Sequence, residues 1–394
     1  MDKEDMPNTA EEFLERGRLF SEFEIWDDAI ADYTQAISLD PTDVFTYNHR
    51  GYAYNNKGDY NKAIADFTQA ISLDPTDALS YNNRGNVHNN KGDYDNAIAD
   101  FTQAINLDPI FSVAYDNRGN AYCKKGNYDK AIADYTQAIS LDPAVVLFYK
   151  NRGRAYYDKD DYDKAIVDYT EAIRLDPDDF ASYYNRGAAY NNRGDYDKAI
   201  VDYTEAIRVD PDDFASYYNR GAAYNNRGDY DKAIVDYTKA IRLDPDDSAS
   251  YNNRGVAYNN RGDYNKAIAD YTEAIRLDPD DSASYNNRGA AYNNRSDYDK
   301  AILDFTEAIR LKPDNADYYS WRGRAYYYKG NYDKAITDFT QAICFDPDNV
   351  DNYFWRGLLY DKNDDCDKAI ADYTQAISLD PADIQLYENR GNPL

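Results

Sequence analysis

Few residues of this 394-residue chain could carry out catalysis or hold a metal. It has two histidines, His49 and His88, and three cysteines, Cys123, Cys344 and Cys366. Nucleophilic catalysis needs a histidine positioned between a nucleophile and an acid, and neither histidine has such a neighbourhood or metal-ligand spacing. The cysteines are too few and too scattered for a disulfide framework or a zinc site. We therefore expect a non-catalytic protein with no metal and no cofactor, in which His88 replaces a packing aromatic and His49 is a polar liner at a position that is asparagine in other repeats.

The acidic clusters and the glycines also fit structural roles better than chemical ones. Asp278, Asp280 and Asp281 lack the glycine-centred ligand loop of a calcium site. They are better explained as helix caps and solubilising charges. The glycines lie within helical segments and not in a loop that could surround a phosphate.

Composition restricts the partners and the location. The chain carries 44 Lys and Arg against 72 Asp and Glu, a formal net charge of −28, which would repel nucleic acid. No apolar run reaches the roughly 18 residues of a membrane-spanning helix. The first residues are acidic and lack the apolar core of a secretory signal. We expect a cytoplasmic protein that binds neither nucleic acid nor membrane.

The dominant feature of the chain is an internal repeat. Gly17 and Gly51 are 34 residues apart, and glycine recurs at this interval up to Gly391, with proline in step from Pro41 to Pro381. Eleven complete units fill residues 10–383. We expect residues 1–9 to be flexible, and residues 384–394 to be a partial twelfth unit or a C-terminal cap.

One unit, residues 248–281, shows the internal order of the repeat. Apolar and small residues at helical spacing mark two helices. The first carries Tyr251, Gly255 and Tyr258, and the second carries Tyr264, Ala267, Ile268, Tyr271, Ala274 and Ile275. Gly262 and Asp263 separate them as helix stop and N-cap. Pro279 ends the second helix, and the aspartates beside it can cap the next unit.

This pattern resembles the tetratricopeptide repeat (TPR) family, in its long bacterial-type arrays. The period, the glycines, the paired alanines, the aromatics and the terminal proline all agree with it over residues 10–383. The resemblance implies an all-α fold, an α-solenoid of helix-turn-helix hairpins that forms a right-handed superhelix. It also implies that one face of each first helix lines a concave groove.

Every unit departs from the family pattern at the same two positions. An arginine stands immediately before the first glycine, as Arg254 does before Gly255, and an aspartate such as Asp270 lies in the second helix. We expect a ladder of buried or half-buried ion pairs, which adds specificity more surely than stability. The alternative is that the arginines face a ligand.

The stripe assigned to the groove, which we call the groove stripe, consists of Ala249, Asn252, Asn253, Val256, Asn259 and Asn260 in this unit. An amide both donates and accepts, so it can pair with a peptide backbone in both directions. The alternative is that these amides only solvate the groove. The predicted peptide-binding amides precede the arginines and are Asn83, Asn117, Asn151, Asn185, Asn219, Asn253 and Asn287.

Two segments interrupt the amides. Trp321, Phe354 and Trp355 form a candidate aromatic hot spot, since tryptophan is a favoured interface anchor. The alternative for them is local packing or end capping. A basic groove segment is formed by Lys124, Lys150 and Arg154.

Taken together, the sequence favours a non-catalytic scaffold that holds an extended peptide or protein segment in an asparagine-lined groove. One alternative is a structural rod or filament that self-associates by head-to-tail stacking of near-identical repeats. A further alternative is the regulatory array of a larger enzyme. The identity of a partner stays open.

Overall fold

The computed structural model describes residues 8–382, and this part of the chain contains α-helices and no strand. The chain divides into two compact units, the first ending at Asp195 and the second beginning at Tyr196. Within each unit, every helix packs against the next one along the chain. The predicted all-α array of helical hairpins is thereby confirmed.

Helices alternate between 12–14 residues of a first helix, the A helix (odd numbers), and 14 residues of a second helix, the B helix (even numbers). The first unit contains α1 (Ala10–Glu22), α2 (Trp26–Leu39), α3 (Val44–Asn56), α4 (Tyr60–Leu73), α5 (Ala78–Asn90), α6 (Tyr94–Leu107), α7 (Ser112–Lys124), α8 (Tyr128–Leu141), α9 (Val146–Tyr157), α10 (Tyr162–Leu175) and α11 (Phe180–Arg193). The second contains α12 (Tyr196–Val209), α13 (Phe214–Arg227), α14 (Tyr230–Leu243), α15 (Ser248–Asn260), α16 (Tyr264–Leu277), α17 (Ser282–Asn294), α18 (Tyr298–Leu311), α19 (Ala316–Tyr328), α20 (Tyr332–Phe345), α21 (Val350–Lys362) and α22 (Cys366–Leu379).

The helix ends within residues 248–281 follow the local sequence. Asp247 caps α15 by accepting from the Ser250 backbone N–H at 2.8 Å. Gly262 follows that helix with φ +90°, a left-handed conformation that glycine adopts without strain. Asp263 is the N-cap of α16, as predicted, but its carboxylate makes no capping bond to that helix. It pairs with Arg261 instead.

The small residues allow the two helices of a hairpin to approach closely. A Cβ atom added to Gly255 would lie 2.7 Å from Cε1 of Tyr271, closer than two carbons can come without movement. Ala267 and Ala274 are fully buried on the same B helix. The glycine at this position is therefore required by the buried aromatic ring opposite it.

An arginine joins the A and B helices of the hairpin by two parallel hydrogen bonds. In residues 248–281, Arg254 Nε and Nη2 donate to the two carboxylate oxygens of Asp270, each at 2.8 Å. Asp270 is 7% exposed. Bidentate pairs of this kind are the strong form of a charge-assisted bond, so the predicted ion pair is confirmed here. The same pair occurs as Arg16–Asp32, Arg50–Asp66, Arg84–Asp100, Arg118–Asp134, Arg152–Asp168, Arg220–Asp236, Arg288–Asp304, Arg322–Asp338 and Arg356–Asp372.

The same guanidinium also reaches the preceding hairpin. Arg254 Nη1 donates to Thr238 Oγ1 on α14 at 3.0 Å. Its central carbon lies 5.6 Å from the ring centre of Tyr251, in cation–π range. We call this set of contacts to Asp, Thr and Tyr the Arg bridge, and it ties this hairpin both to itself and to the preceding one.

At the N-terminus, the structure describes only Asn8 and Thr9 of the segment predicted to be flexible. The backbone N–H groups of both donate to the Glu12 carboxylate, and Thr9 accepts from the Glu12 backbone, which makes a reciprocal cap on α1. Residues 1–7, and residues 383–394 with the predicted partial unit or cap, lie outside the described residues.

A double-mutant cycle tests the Arg bridge. We predict that Arg254→Leu and Asp270→Asn each lower the free energy of unfolding by about 3 kcal/mol, because each leaves a buried polar partner unpaired. The double variant should lose less than the sum of the two, as read from urea unfolding followed by circular dichroism. As a control, Arg276→Leu breaks an exposed pair with Glu273 and should cost below about 1 kcal/mol. Strict additivity would contradict the bridge.

Candidate functional site

The predicted groove amides are half-buried, and several of them bond to the preceding A helix. Asn117 Nδ2 donates to Asn82 Oδ1 at 3.0 Å, and Asn287 Nδ2 donates to Asn252 Oδ1 at 3.1 Å. Asn253 donates to the Tyr218 hydroxyl at 2.6 Å. These bonds join successive A helices on the groove stripe, a structural role that the sequence analysis did not foresee.

A second row of amides follows the same geometry nearer the C-terminal ends of the A helices. Asn90 Nδ2 donates to Asn55 Oδ1 at 3.1 Å, and Asn192 Nδ2 donates to the Tyr157 hydroxyl at 2.6 Å. Each of these bonds uses one of the two N–H groups of the donor asparagine. The other N–H and the carbonyl oxygen of that asparagine take no part in the bond. The arrangement allows an amide to bridge two repeats and to contact a ligand at the same time.

The remaining predicted amides differ in their surroundings. Asn83 is half-buried and lines a cavity described below. Asn185 and Asn219 are half-buried on α11 and α13. Asn151 Nδ2 donates at 2.8 Å to a carboxylate, Asp116 Oδ1, and not to another amide.

Asp116 is a buried acid that sequence reasoning missed. It occupies the position of Asn82 and Asn252 in other repeats and is only 3% exposed. Its carboxylate accepts from Asn151 and, at 3.1 Å, from Asn120. Burial raises the pKa of Asp116 to about 6, against the effect of these two hydrogen bonds. The signal in the sequence was the replacement of an amide by an acid within a regular row.

The three predicted aromatic residues are brought together on α19 and α21. Trp355 stacks on Phe339 at 6.2 Å between ring centres and meets Phe354 edge-on at 6.0 Å. Trp321 stacks on Phe305 at 6.5 Å. One side of each indole is thus used in packing, which agrees with the alternative of local packing, while all three residues stay half-buried.

An arginine that the sequence analysis did not single out links the two indoles. The guanidinium carbon of Arg324 lies 5.0 Å from the Trp321 ring centre and 5.3 Å from that of Trp355. Its Nη2 pairs with Asp351 at 3.0 Å. Tyr328, 51% exposed, lies beside Trp355 at 6.4 Å. We call Trp321, Arg324, Tyr328, Phe354 and Trp355 the aromatic segment.

The predicted basic groove segment carries less free charge than expected. Lys150 Nζ pairs with Asp179 at 2.7 Å, and Arg154 Nε pairs with Asp158 at 2.8 Å. Lys124 is exposed and is in no ion pair among residues 8–382. Asp158 stands four residues after Arg154, whereas Asp179 belongs to the next repeat and is brought to Lys150 only by the stacking of the hairpins.

A cavity of about 620 Å³ lies between the N-terminal halves of α3 and α5, and we call it the N-terminal pocket. His49 lines it and stacks on Tyr33, with 5.7 Å between ring centres. Burial lowers the pKa of His49, so the ring is neutral at pH 7. The pocket is lined by Thr42, Asp43, Val44, Phe45, Asn48, His49, Tyr52, Asp74, Asp77, Leu79 and Asn83.

His88 is half-buried, with Nε2 3.8 Å from the Asp100 carboxylate. Residues 8–382 contain no group of three His, Cys, Asp or Glu side chains that could hold a metal ion. None of the helices described is long and apolar enough to cross a bilayer.

The stacked helical hairpins place this chain in the class of α-helical repeat proteins. Models described as tetratricopeptide repeat match residues 32–65, 78–111, 101–133, 180–213, 214–247, 248–281, 282–315 and 350–383, and one described as TPR repeat matches 51–92, 119–160, 153–192 and 323–364. The chain belongs to the tetratricopeptide repeat family. No curated protein matches it in sequence.

Solved structures with a similar fold have low sequence identity. The Cut9–Hcn1 hetero-tetramer of the APC/C is 15% identical, covering 98% of this chain and 97% of its own, with a TM-score of 0.50. A tetratricopeptide repeat protein from Parabacteroides merdae is 20% identical over 62% of this chain and 97% of its own, with a TM-score of 0.51. Yeast Tom70 is 18% identical over 98% and 95%, with a TM-score of 0.45. The first two support the fold alone.

The buried acid gives a pH prediction. Because folding raises the pKa of Asp116 from 3.8 to about 6, the folded state binds more protons between these values, and its stability falls as pH rises through that range. Asp116→Asn, which copies Asn82, removes this penalty. Its stability advantage over the unmodified chain should grow by about 1–2 kcal/mol between pH 5 and pH 7.5 in urea unfolding. Asn82→Ala serves as a pH-independent control, and an advantage that does not change with pH would contradict the prediction.

Proposed function

We propose that this chain is a non-catalytic interaction scaffold that holds an extended peptide or protein segment along the groove stripe of its A helices. The aromatic segment carries the proposal. Two indoles hold one guanidinium between them on the groove stripe, and a phenyl ring and an exposed phenol lie against one of these indoles. Tryptophan, tyrosine and arginine are the residues that dominate interface energetics. The amide rows supply donors and acceptors for a backbone beside it.

The charge and position of Arg324 support a ligand with polar groups as well as apolar ones. Its Nε atom is buried and has no hydrogen-bond partner within the described residues, and its side chain is 25% exposed. A guanidinium held between two rings keeps a fixed orientation, so less entropy is lost when it donates to a carbonyl or carboxylate of a ligand. Peptides offer such acceptors at every residue.

The repeats themselves provide folding-compatible variants for a test. Asn253 and Asn287 occupy the position of Trp321 and Trp355 in other repeats, so Trp321→Asn with Trp355→Asn restores the common pattern. Leu303 is 70% exposed on the B helix α18, where Ala269 stands in the preceding repeat. Leu303→Ala is therefore a matched loss of exposed apolar surface away from the groove stripe.

We predict that the intact chain enriches linear peptides from a displayed library of random dodecamers. A synthetic peptide whose binding is retained by the Leu303→Ala chain should bind the double tryptophan variant at least about tenfold more weakly in fluorescence anisotropy. Equal binding by all three chains would exclude the aromatic segment as the anchor, and no enrichment at all would count against the scaffold. Growth of the sedimentation coefficient with concentration would favour the self-assembling rod instead.

A further inference from the structure

We propose that the N-terminal pocket anchors a peptide segment in which an aromatic or large aliphatic side chain stands next to a lysine or arginine. This inference rests on the proposed scaffold function and names the chemistry of one ligand segment. It concerns the first unit only, and no residue of the aromatic segment takes part.

The walls of the pocket are apolar and open to solvent. Phe45 is 69% exposed, Tyr52 53% and Leu79 48%, an unusual amount of free surface for three large side chains on adjoining helices. Phe45 and Leu79 occupy the position that is alanine in four later repeats, as Ala181, Ala215, Ala249 and Ala283. The large side chains are therefore not required by the hairpin fold. The same position is also apolar and exposed in the next two repeats, as Val113 and Leu147, and at Phe45 and Leu79 it forms walls of a pocket.

The size of the pocket suits an inserted side chain. Its volume of about 620 Å³ falls within the range of roughly 300–1,000 Å³ found for ligand sites. Tyr52 also contacts Trp26 edge-on, with ring centres 6.2 Å apart, which supports one wall from behind. A phenyl or leucyl group would replace solvent against these three walls, which is favourable because apolar surface is removed from water.

The charge at the pocket is negative and unbalanced. Asp43, Asp74 and Asp77 line it, no lysine or arginine does, and none of the three acids is in an ion pair among residues 8–382. Bonds from Thr76 lower the pKa of Asp74, which keeps it ionised at neutral pH. The surrounding arginines are already engaged, Arg18 with Glu15 and Arg50 with Asp66.

The three carboxylates are also held in place. Asp43 accepts from the backbone of Phe45, and Asp77 accepts from the backbone of Leu79, each at 3.2 Å. These capping bonds orient the acids without neutralising them. A cation at the rim would gain a fixed negative field, whereas an acidic peptide or a nucleic acid would be repelled.

Neutral polar groups in the pocket suit a peptide backbone better than a free hydrocarbon. His49 offers one donor and one acceptor in its neutral form. The Asn83 side chain makes no hydrogen bond within residues 8–382, so its amide is available in both directions. A backbone passing beside the anchor side chain would meet both groups.

The repeats again supply variants that keep the fold. Phe45→Ala with Leu79→Ala restores the alanines of the later repeats and removes the apolar walls. Asp43→Asn with Asp77→Asn removes two charges but keeps the caps, because Asn315 and Asn349 cap α19 and α21 at the corresponding position. Trp321→Asn with Trp355→Asn is the control that leaves the pocket intact.

The experiment repeats the dodecamer selection with the intact full chain and these three double variants, each checked for an unchanged helical spectrum. We expect the intact chain and the tryptophan control to enrich peptides with an aromatic or aliphatic residue beside Lys or Arg. The alanine variant should lose that pairing, and a synthetic peptide carrying it should bind this variant about tenfold more weakly. The asparagine variant should lose the preference for the cation, and the salt dependence of binding should fall with it.

Each other outcome overturns the inference in a recognisable way. Enriched peptides that ignore the pocket variants but require the tryptophans would leave the scaffold standing without this anchor. Enrichment of acidic peptides at the pocket would reverse the charge argument. If the intact chain sediments as a dimer and the alanine variant as a monomer, a second copy occupies the pocket. If no peptide is enriched by any chain, the scaffold function fails together with the anchor.

Discussion

The Arg bridge is the interaction on which the regularity of this structure depends. One guanidinium, as in Arg254, satisfies both oxygens of a buried aspartate, reaches a threonine of the preceding hairpin and lies over a tyrosine one turn earlier. A buried carboxylate is costly unless such a partner is present, and burial raises the pKa of Asp168 even though Arg152 acts in the opposite direction. The bridge therefore selects one packing of the two helices and one distance to the neighbour, since other registers leave the aspartate uncompensated.

Because the bridge and the glycine–aromatic contact define the hairpin, most other positions are free to vary. The repeats at 180–213 and 214–247 differ only at two positions, Glu205 against Lys239 and Val209 against Leu243, so the side chains on their groove stripes are identical. A residue on the groove stripe that differs from its counterparts in other repeats therefore marks a place where the surface has changed without a change in the hairpin. Phe45 in place of alanine, Asp116 in place of asparagine and Trp321 in place of asparagine each change the surface while the bridge of the same repeat persists.

The sequence predicted those features that recur with the period. The hairpins, the glycine opposite the aromatic ring and the pairing of Arg254 with Asp270 are relations inside one repeat, and they follow from helical spacing. Contacts between repeats were harder to predict from the sequence, because they depend on how neighbouring A helices stack. Asn253 was predicted to face a ligand, and the structure shows that one of its N–H groups reaches Tyr218. The pairing of Lys150 with Asp179 was missed for the same reason.

The charged residues also fall into two groups, those that form Arg bridges or other ion pairs and those that stay unpaired at the surface. A net charge of −28 says little about a ligand, because many acids are neutralised by the bridges or pair with cations at the ends of A helices, as Asp231 does with Arg261. A ligand of the proposed scaffold would meet only the charges and the apolar side chains that the repeats leave unpaired. At the N-terminal pocket three acids have no cation beside them, whereas on α19 an arginine that is paired with Asp351 lies between two indoles. For the proposed scaffold, ligand preference would be set by local departures from the repeat and not by the overall acidity of the chain, because only the departures leave charge and apolar surface that the array does not use itself.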